Sequence, residues 1–405
     1  MLSHLYSFRF CLIAITVSCF GALSWSKMSL TEAESIFQRA LKYNFGNGVP
    51  RNFQEAARLY RLIANEGYSA AQDNLAELYY HGQGVPQDYQ EAARLYRLAA
   101  EQGSLNAQYS LGHMYYYGQG VSRNFYESAR WYRLAAERGH VTSQYNLARM
   151  YYNGEGVTRD ICEAVRFYRL AANQGNVDAQ YTLALMYDQG DGVVSDAREA
   201  ACFYRLAADQ GHRGAQNNLA VMYNNGRGVP RNLNEAIRLY RLSANQRNPI
   251  AQYNLARLYE RGEGVPRDLV EAVSLYRFAA DQGYSSAQYY LARMYHMGKG
   301  VQRDLCEALR LYRLAAEHGD SNAQNALAIM YKNGDGVRYN YEEAVRLFLL
   351  AAEQGNVAAQ YNLALMYYKG LGTRRNRAEA TRWLREAAKQ GDEDARQLLL
   401  EWEYN

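Results

Sequence analysis

Between Ala71 and Tyr80 the small and apolar residues Ala71, Leu75, Ala76, Leu78 and Tyr79 recur at the spacing of a helix with one buried face. A second run of the same period follows, with Ala92, Leu95, Tyr96, Leu98 and Ala99. Gly82-x-Gly84 separates the two runs and Gly103 closes the second. Glycine tolerates the positive φ that a tight helix-ending turn needs. The Gly-x-Gly pairs then step from Gly46/Gly48 to Gly370/Gly372, 324 residues in nine equal intervals of 36. A fixed period of this size marks a solenoid, in which each unit buries its apolar face only by stacking on its neighbours. The pattern predicts an all-α chain of about ten 36-residue αα-hairpins with one further helix at the C-terminal end.

The polar positions sharpen the helix starts. The residue in phase with Asp88 is always Asn or Asp, from Asn52 to Asn376, and three residues on there is always Glu, from Glu55 to Glu379. That spacing predicts a capping box, in which each side chain satisfies a backbone N–H the helix leaves orphaned. The ten glutamates therefore have a structural role before a catalytic one. The first helix of each pair is capped more loosely, by Ser104, His140, Asn176, Asn248, Asp320, Asn356 or Asp392. Arg247 stands where the other units have glycine, which predicts a slightly altered junction with Pro249 as compensation. Residues 29–66 depart from the repeat pattern and read as an N-terminal capping repeat, 67–390 as the solenoid, and 391–405 as a C-terminal capping helix.

Residues 1–26 lie outside the repeat. Arg9 precedes an apolar run from Phe10 to Phe20 and then small residues, the order of a secretory signal peptide or an uncleaved N-terminal anchor. The run is shorter than the ~20 apolar residues of a membrane-spanning helix, so no membrane span is expected after cleavage. Cys11 and Cys19 leave with that segment, and Cys162, Cys202 and Cys306 remain. An odd number at these spacings is no disulfide framework; a Cys162–Cys202 bridge stays open beside the simpler reading of isolated thiols. Lys and Arg number 45 against 41 Asp and Glu, with both signs in every unit, so no nucleic-acid footprint is expected.

The recurring Ala-Gln-Tyr-x-Leu-Ala-x-Met-Tyr-x-x-Gly-x-Gly-Val, followed by Glu-Ala and Tyr-Arg-Leu-Ala-Ala, resembles the Sel-one-like repeat (SLR) consensus. Ala251-Gln252-Tyr253-Asn254-Leu255-Ala256 and Gly262-Glu263-Gly264-Val265 match it closely, and the resemblance covers residues 31–400. It implies a relative of tetratricopeptide arrays: αα-hairpins in a right-handed superhelix that acts as an adaptor or scaffold. Bacterial members are implicated in host-cell interaction and signalling, and eukaryotic ones include lumenal adaptors of degradation complexes.

On the first helices, the face opposite the core carries residues in phase with 73, 74, 77 and 80. These are Tyr109, Ser110, His113 and Tyr116; Tyr145, Asn146, Arg149 and Tyr152; Tyr253, Asn254 and Arg257; and Tyr289, Tyr290 and Arg293. Tyr and Arg dominate binding hot spots, and Asn can bond an extended backbone. The expectation is a concave groove for an extended peptide or a partner protein, with Arg149, Arg257 and Arg293 receiving carboxylates. Tyr79, Tyr115 and Tyr151 read instead as spacers between helices. On the second helices, Arg58/Arg61, Arg94/Arg97 and their successors read as a solvated convex face, against a basic stripe for anionic lipid or acidic glycan.

Catalytic readings are weak. The third glycine of a dinucleotide motif is missing, and the seven histidines show no metal-ligand spacing, so no cofactor and no metal are expected. Ser24-x-x-Lys27 has the form of a serine β-lactamase motif without its companions. A hydrolase of the β-lactamase-like kind described for cysteine-rich relatives requires paired cysteines in each repeat, which this chain lacks. The reading is a monomeric, non-catalytic scaffold that is exported: periplasmic or secreted, or lumenal if eukaryotic. The alternative in its own class is a structural component of an envelope complex.

Overall fold

A computed structural model describes residues 28–403. The signal-peptide reading of residues 1–26, with Cys11 and Cys19, lies outside them, as does Ser24-x-x-Lys27. The chain divides into two compact units, up to Arg138 and from Gly139. The first holds α1 (Leu30–Phe45), α2 (Phe53–Ala64), α3 (Ser69–His81), α4 (Tyr89–Glu101), α5 (Leu105–Tyr117) and α6 (Phe125–Glu137). The second opens with α7 (Val141–Asn153), α8 (Ile161–Asn173), α9 (Val177–Gln189), α10 (Ala197–Asp209), α11 (Arg213–Asn225), α12 (Leu233–Asn245) and α13 (Pro249–Arg261). It continues with α14 (Leu269–Asp281), α15 (Ser285–Met297), α16 (Leu305–Glu317), α17 (Ser321–Asn333) and α18 (Tyr341–Glu353). It ends with α19 (Val357–Lys369), α20 (Arg377–Lys389) and α21 (Glu393–Glu403). Within each unit every odd-numbered helix packs on the even-numbered one after it, and each even-numbered helix on the next odd one. No strand occurs among the described residues, and none of their helices is long and apolar enough to cross a membrane. The expected all-α solenoid of paired helices is what the chain forms.

Ala71, Leu75, Ala76 and Leu78 of α3 and Ala92, Leu95, Tyr96 and Ala99 of α4 are all buried, as their period requires. Leu98, grouped with that apolar run by the sequence, instead faces out, and so do Leu62, Leu134, Leu170, Leu206 and Leu242 in the same phase.

The two glycines of each pair do different work. Gly118 caps α5 with φ 73° and donates its N–H to Met114 O. Gly120 sits so close to the preceding hairpin that a Cβ on it would lie 2.1 Å from Tyr89 O. The pair thus ends one helix and lets the turn abut the start of the neighbouring repeat's second helix.

The capping box is only half made. Asn or Asp accepts from the glutamate N–H, as in Asp88 Oδ1 from Glu91 N at 3.0 Å. The cap residue's own N–H goes elsewhere: Asp88 N donates to Tyr79 O, closing the hairpin. The glutamate carboxylate is thereby released and takes the arginine one turn on, as Glu91 takes Arg94 in two bonds of 2.8 and 2.7 Å. Arg247 adopts a positive φ of 60°, below the 83° of Gly283 and the 96° of Gly391 at the same place, so that junction keeps its left-handed turn in slightly altered form.

A buried glutamine ties successive repeats. Gln72 Nε2 donates to Ala64 O at 3.1 Å, and its Oε1 accepts from Gln102 Nε2 at 2.8 Å. Gln180, Gln216 and Gln252 repeat the arrangement with Gln210, Gln246 and Gln282. Both halves of a buried amide are then satisfied, which removes the cost of burying it.

Candidate functional site

The candidate face is built by the odd-numbered helices, and the residues singled out there are all half-buried. In the first unit Tyr109 lies against Tyr132, with ring centroids 5.9 Å apart, and 6.2 Å from His113. The His113 ring lies tilted against Tyr117 at 4.5 Å, and burial holds its imidazole below the ordinary histidine pKa. On the same register Asp73 accepts from Ser104 Oγ at 2.9 Å, and burial raises its carboxyl to about 6. This part of the face is aromatic and acidic.

In the second unit α7 presents Tyr145, Asn146, Arg149 and Tyr152. Tyr145 packs 5.8 Å from Tyr168, and burial raises its phenol. Tyr152 donates its hydroxyl to Asp191 at 2.5 Å, so it braces the next turn.

The densest part joins α13, α14 and α15. Tyr253 makes ring contacts with Tyr276, Tyr284 and Tyr290 at 6.0, 5.4 and 5.5 Å. Tyr289 turns edge-on to Tyr290 at 5.2 Å and reaches Tyr312 at 5.9 Å. The Arg257 guanidinium lies 5.7 Å from the Tyr253 ring and 5.9 Å from Tyr290, and Arg293 lies 4.7 Å from Tyr290. Glu260 then divides the two arginines. Its Oε1 accepts from Arg293 at 2.5 Å and its Oε2 from the Tyr276 hydroxyl at 2.8 Å. Arg257 pairs with no carboxylate among the described residues. Burial pushes the Tyr253 phenol up to about 12, and burial beside Glu260 pushes Tyr276 higher still. Both are neutral at physiological pH, so two guanidiniums face one carboxylate and one positive charge is left over.

Beside Arg257 opens a pocket of about 260 Å³, lined among others by Asn224, Asn225, Tyr240, Asn254 and Arg261. Asn254 Nδ2 donates to Asn217 Oδ1 at 3.3 Å, and Asn224 Nδ2 to Asn225 Oδ1 at 3.0 Å. The structure therefore brings Tyr253, Asn254, Arg257, Tyr289 and Arg293 together, while Tyr109 and His113 belong to the first unit and Tyr145, Asn146, Arg149 and Tyr152 to α7. Sequence reasoning missed Glu260 and Tyr276. Glu260 occupies a position filled by Tyr, Asp, Asn, His or Lys elsewhere, and that departure was the available signal. Tyr276 reads as core and is core, yet its buried hydroxyl donates to Glu260.

Most arginines of the even-numbered helices are occupied. One row takes the glutamates of the helix starts, as in Glu235–Arg238 at 2.6 Å. The other donates to a tyrosine of the next odd helix: Arg61 to Tyr79 at 2.8 Å, Arg97 to Tyr115 at 2.6 Å, Arg277 to Tyr295 at 2.7 Å. Cys162, Cys202 and Cys306 are free, exposed thiols. No cluster of three or more His, Cys, Asp or Glu able to hold a metal ion occurs among the described residues.

The sequence profile described as Sel1 repeat matches ten consecutive segments: 33–68, 69–104, 105–140, 141–176, 177–212, 214–248, 249–284, 285–320, 321–356 and 357–392. Among solved structures the chain is similar to c5321, a protective antigen present in uropathogenic Escherichia coli strains and displaying an SLR fold. The identity is 37%, with 91% of this chain and 79% of that one covered at a TM-score of 0.86. It is also similar to a Sel1 repeat protein from Oxalobacter formigenes, at 30% identity over 60% of this chain and 96% of that one, with a TM-score of 0.52. No curated protein matches the chain.

Proposed function

The chain belongs to the Sel1 repeat family, whose all-α solenoids commonly act as protein-interaction scaffolds, and from that premise we propose that it binds an extended peptide or partner protein along the face of its odd-numbered helices. The observation that carries this is the cluster on α13, α14 and α15. Four tyrosines and two guanidiniums are fixed there by mutual contact, with one positive charge unmatched. Rigid aromatic and arginine groups lose little conformational entropy on binding, which is why they concentrate binding energy. The even-numbered helices offer less, because most of their arginines already have partners within the fold.

In this reading the chain is a monomeric, non-catalytic adaptor, exported under the direction of residues 1–26. The likeness to a protective antigen supports an exported protein that a host encounters. The test is affinity capture with the chain from Lys27 onward beside the triple Arg149, Arg257, Arg293→Ala variant. A partner held by the first and lost by the second is expected. A partner held equally by both would move the binding surface off this face.

A further inference from the structure

Arg257 and Arg293 share a register one repeat apart, yet the structure gives them different work. Glu260 stands three residues after Arg257 on α13, within reach of an i,i+3 ion pair. It turns the other way, giving one oxygen to Arg293 and the other to Tyr276. Arg293 is thereby a positioning residue that ties α15 to α13. Arg257 keeps its charge without a counter-ion, its guanidinium near two tyrosine rings in the lining of the pocket.

The hydrogen-bonding capacity of the pocket points the same way. The Asn225 carbonyl is taken by Asn224, which leaves Asn225 Nδ2 as a donor. The Asn254 amide nitrogen is taken by Asn217, which leaves Asn254 Oδ1 as an acceptor. Arg261 on the same wall already has Glu263 at 3.4 Å. The unfilled set is thus a guanidinium fork and an amide donor for an anion, with the Asn254 oxygen and the buried, unpartnered Asn224 oxygen as acceptors for N–H groups. A carboxylate next to a peptide N–H matches it, and a planar fork suits a carboxylate better than a point charge would.

We propose that the Arg257 pocket seats the acidic side chain of a partner's extended segment, with Asn225 as second donor and Asn254 receiving a backbone N–H, and that Arg293 makes no partner contact. This rests on the peptide-binding reading above and assigns its charge recognition to one residue. The probe is a random-peptide display library selected on the chain from Lys27 onward. Selected peptides are then synthesised with amidated C-termini and with each Glu replaced by Gln. An enriched acidic position is expected whose Glu→Gln change weakens binding about tenfold or more to the wild type. The same change should have little effect with Arg257→Gln, the coupling a double-mutant cycle isolates. Arg257→Lys, which keeps the charge without the fork, should recover part of the affinity.

An equal response of both proteins to Glu→Gln would overturn the proposal and leave peptide binding intact. Loss of binding on C-terminal amidation alone would assign the pocket to a chain terminus and overturn the side-chain assignment. A library that yields no binder would sink the peptide-binding reading itself, and the proposal with it. Because the decisive change is made in the peptide, the test holds even if a protein variant folds poorly.

Discussion

Replacing Arg138 by glutamine should stabilise the first unit. The glutamines at Gln102, Gln210, Gln246 and Gln282 each donate to the buried glutamine 30 residues before them. At 138 the repeat supplies arginine, whose guanidinium goes to Gly103 O at 2.6 Å, and Gln108 Oε1 is left buried without a partner. A buried acceptor left unsatisfied costs about 1–3 kcal/mol. Gln246 shows that the native glutamine geometry forfeits nothing, since it reaches both Gly211 O at 2.9 Å and Gln216 Oε1 at 2.8 Å. Glutamine at 138 should therefore keep the bond to Gly103 and add the missing one, a net gain of about 1 kcal/mol after the loss of a charge-assisted bond. A long repeat array need not unfold in one step, so the measurement is local: hydrogen exchange of the α5 amides, which should slow about fivefold. The converse change, Gln246→Arg, should speed exchange in α11 to a similar degree. Unchanged exchange in both variants would refute the idea that the buried glutamine needs its partner.

Three further outcomes follow from other positions. Gly120→Ala should cost more than about 3 kcal/mol, because a Cβ would meet Tyr89 O at 2.1 Å as well as a φ of 66°, whereas Gly175→Ala meets open space and should cost only ~1–2 kcal/mol for its φ of 88°; equal losses in urea denaturation would contradict the division of labour between the glycines. Asp73 binds its proton more tightly when folded, at about 6 against 3.8, so its contribution is full below pH ~4 and is lost as pH rises through about 6; Asp73→Asn should remove that pH dependence and raise stability at neutral pH by roughly 1–3 kcal/mol, and a melting curve with unchanged pH dependence would count against it. Arg247→Gly should stabilise by about 0.5–1 kcal/mol in thermal unfolding by relieving a left-handed non-glycine residue, and a loss would mean that the side chain holds the junction.

The helices, their pairing and their ends were legible because each is set by local chemistry repeated at one period. Small and apolar positions give the buried face, Asn or Asp the start, and glycine the stop. What the sequence did not disclose lies where one residue has two partners to choose from. Asp88 N could serve the capping box or the hairpin, and the hairpin takes it, since Tyr79 O would otherwise go without that donor. The Leu98 row reads as apolar and therefore inner, yet a helix in a solenoid has neighbours on fewer sides than one in a globular core. The candidate face was legible in its residue types but not in its pairings. Whether an arginine there is engaged depends on a side chain in the adjacent repeat, 33 residues away in the case of Arg293 and Glu260.

That dependence separates framework from recognition. Rows filled by one residue type in nearly every repeat close on themselves: the buried glutamines on each other, the helix-start glutamates on arginine, the second arginine row on tyrosine. Such rows carry the stacking and have little left for a ligand. Rows that vary between repeats hold whatever the stacking does not require, and there a single substitution changes which groups are spare. At 260, glutamate occupies Arg293 and accepts the Tyr276 hydroxyl, so within this cluster Arg257 is left charged and unmatched. Two glutamates elsewhere illustrate the same rule in reverse. Glu199 and Glu271 have Cys202 and Ser274 where other repeats have arginine, so the framework pair fails there and a carboxylate is left at the start of α10 and of α14. In a chain this periodic, chemistry available to a partner is found by asking where the internal pairing breaks.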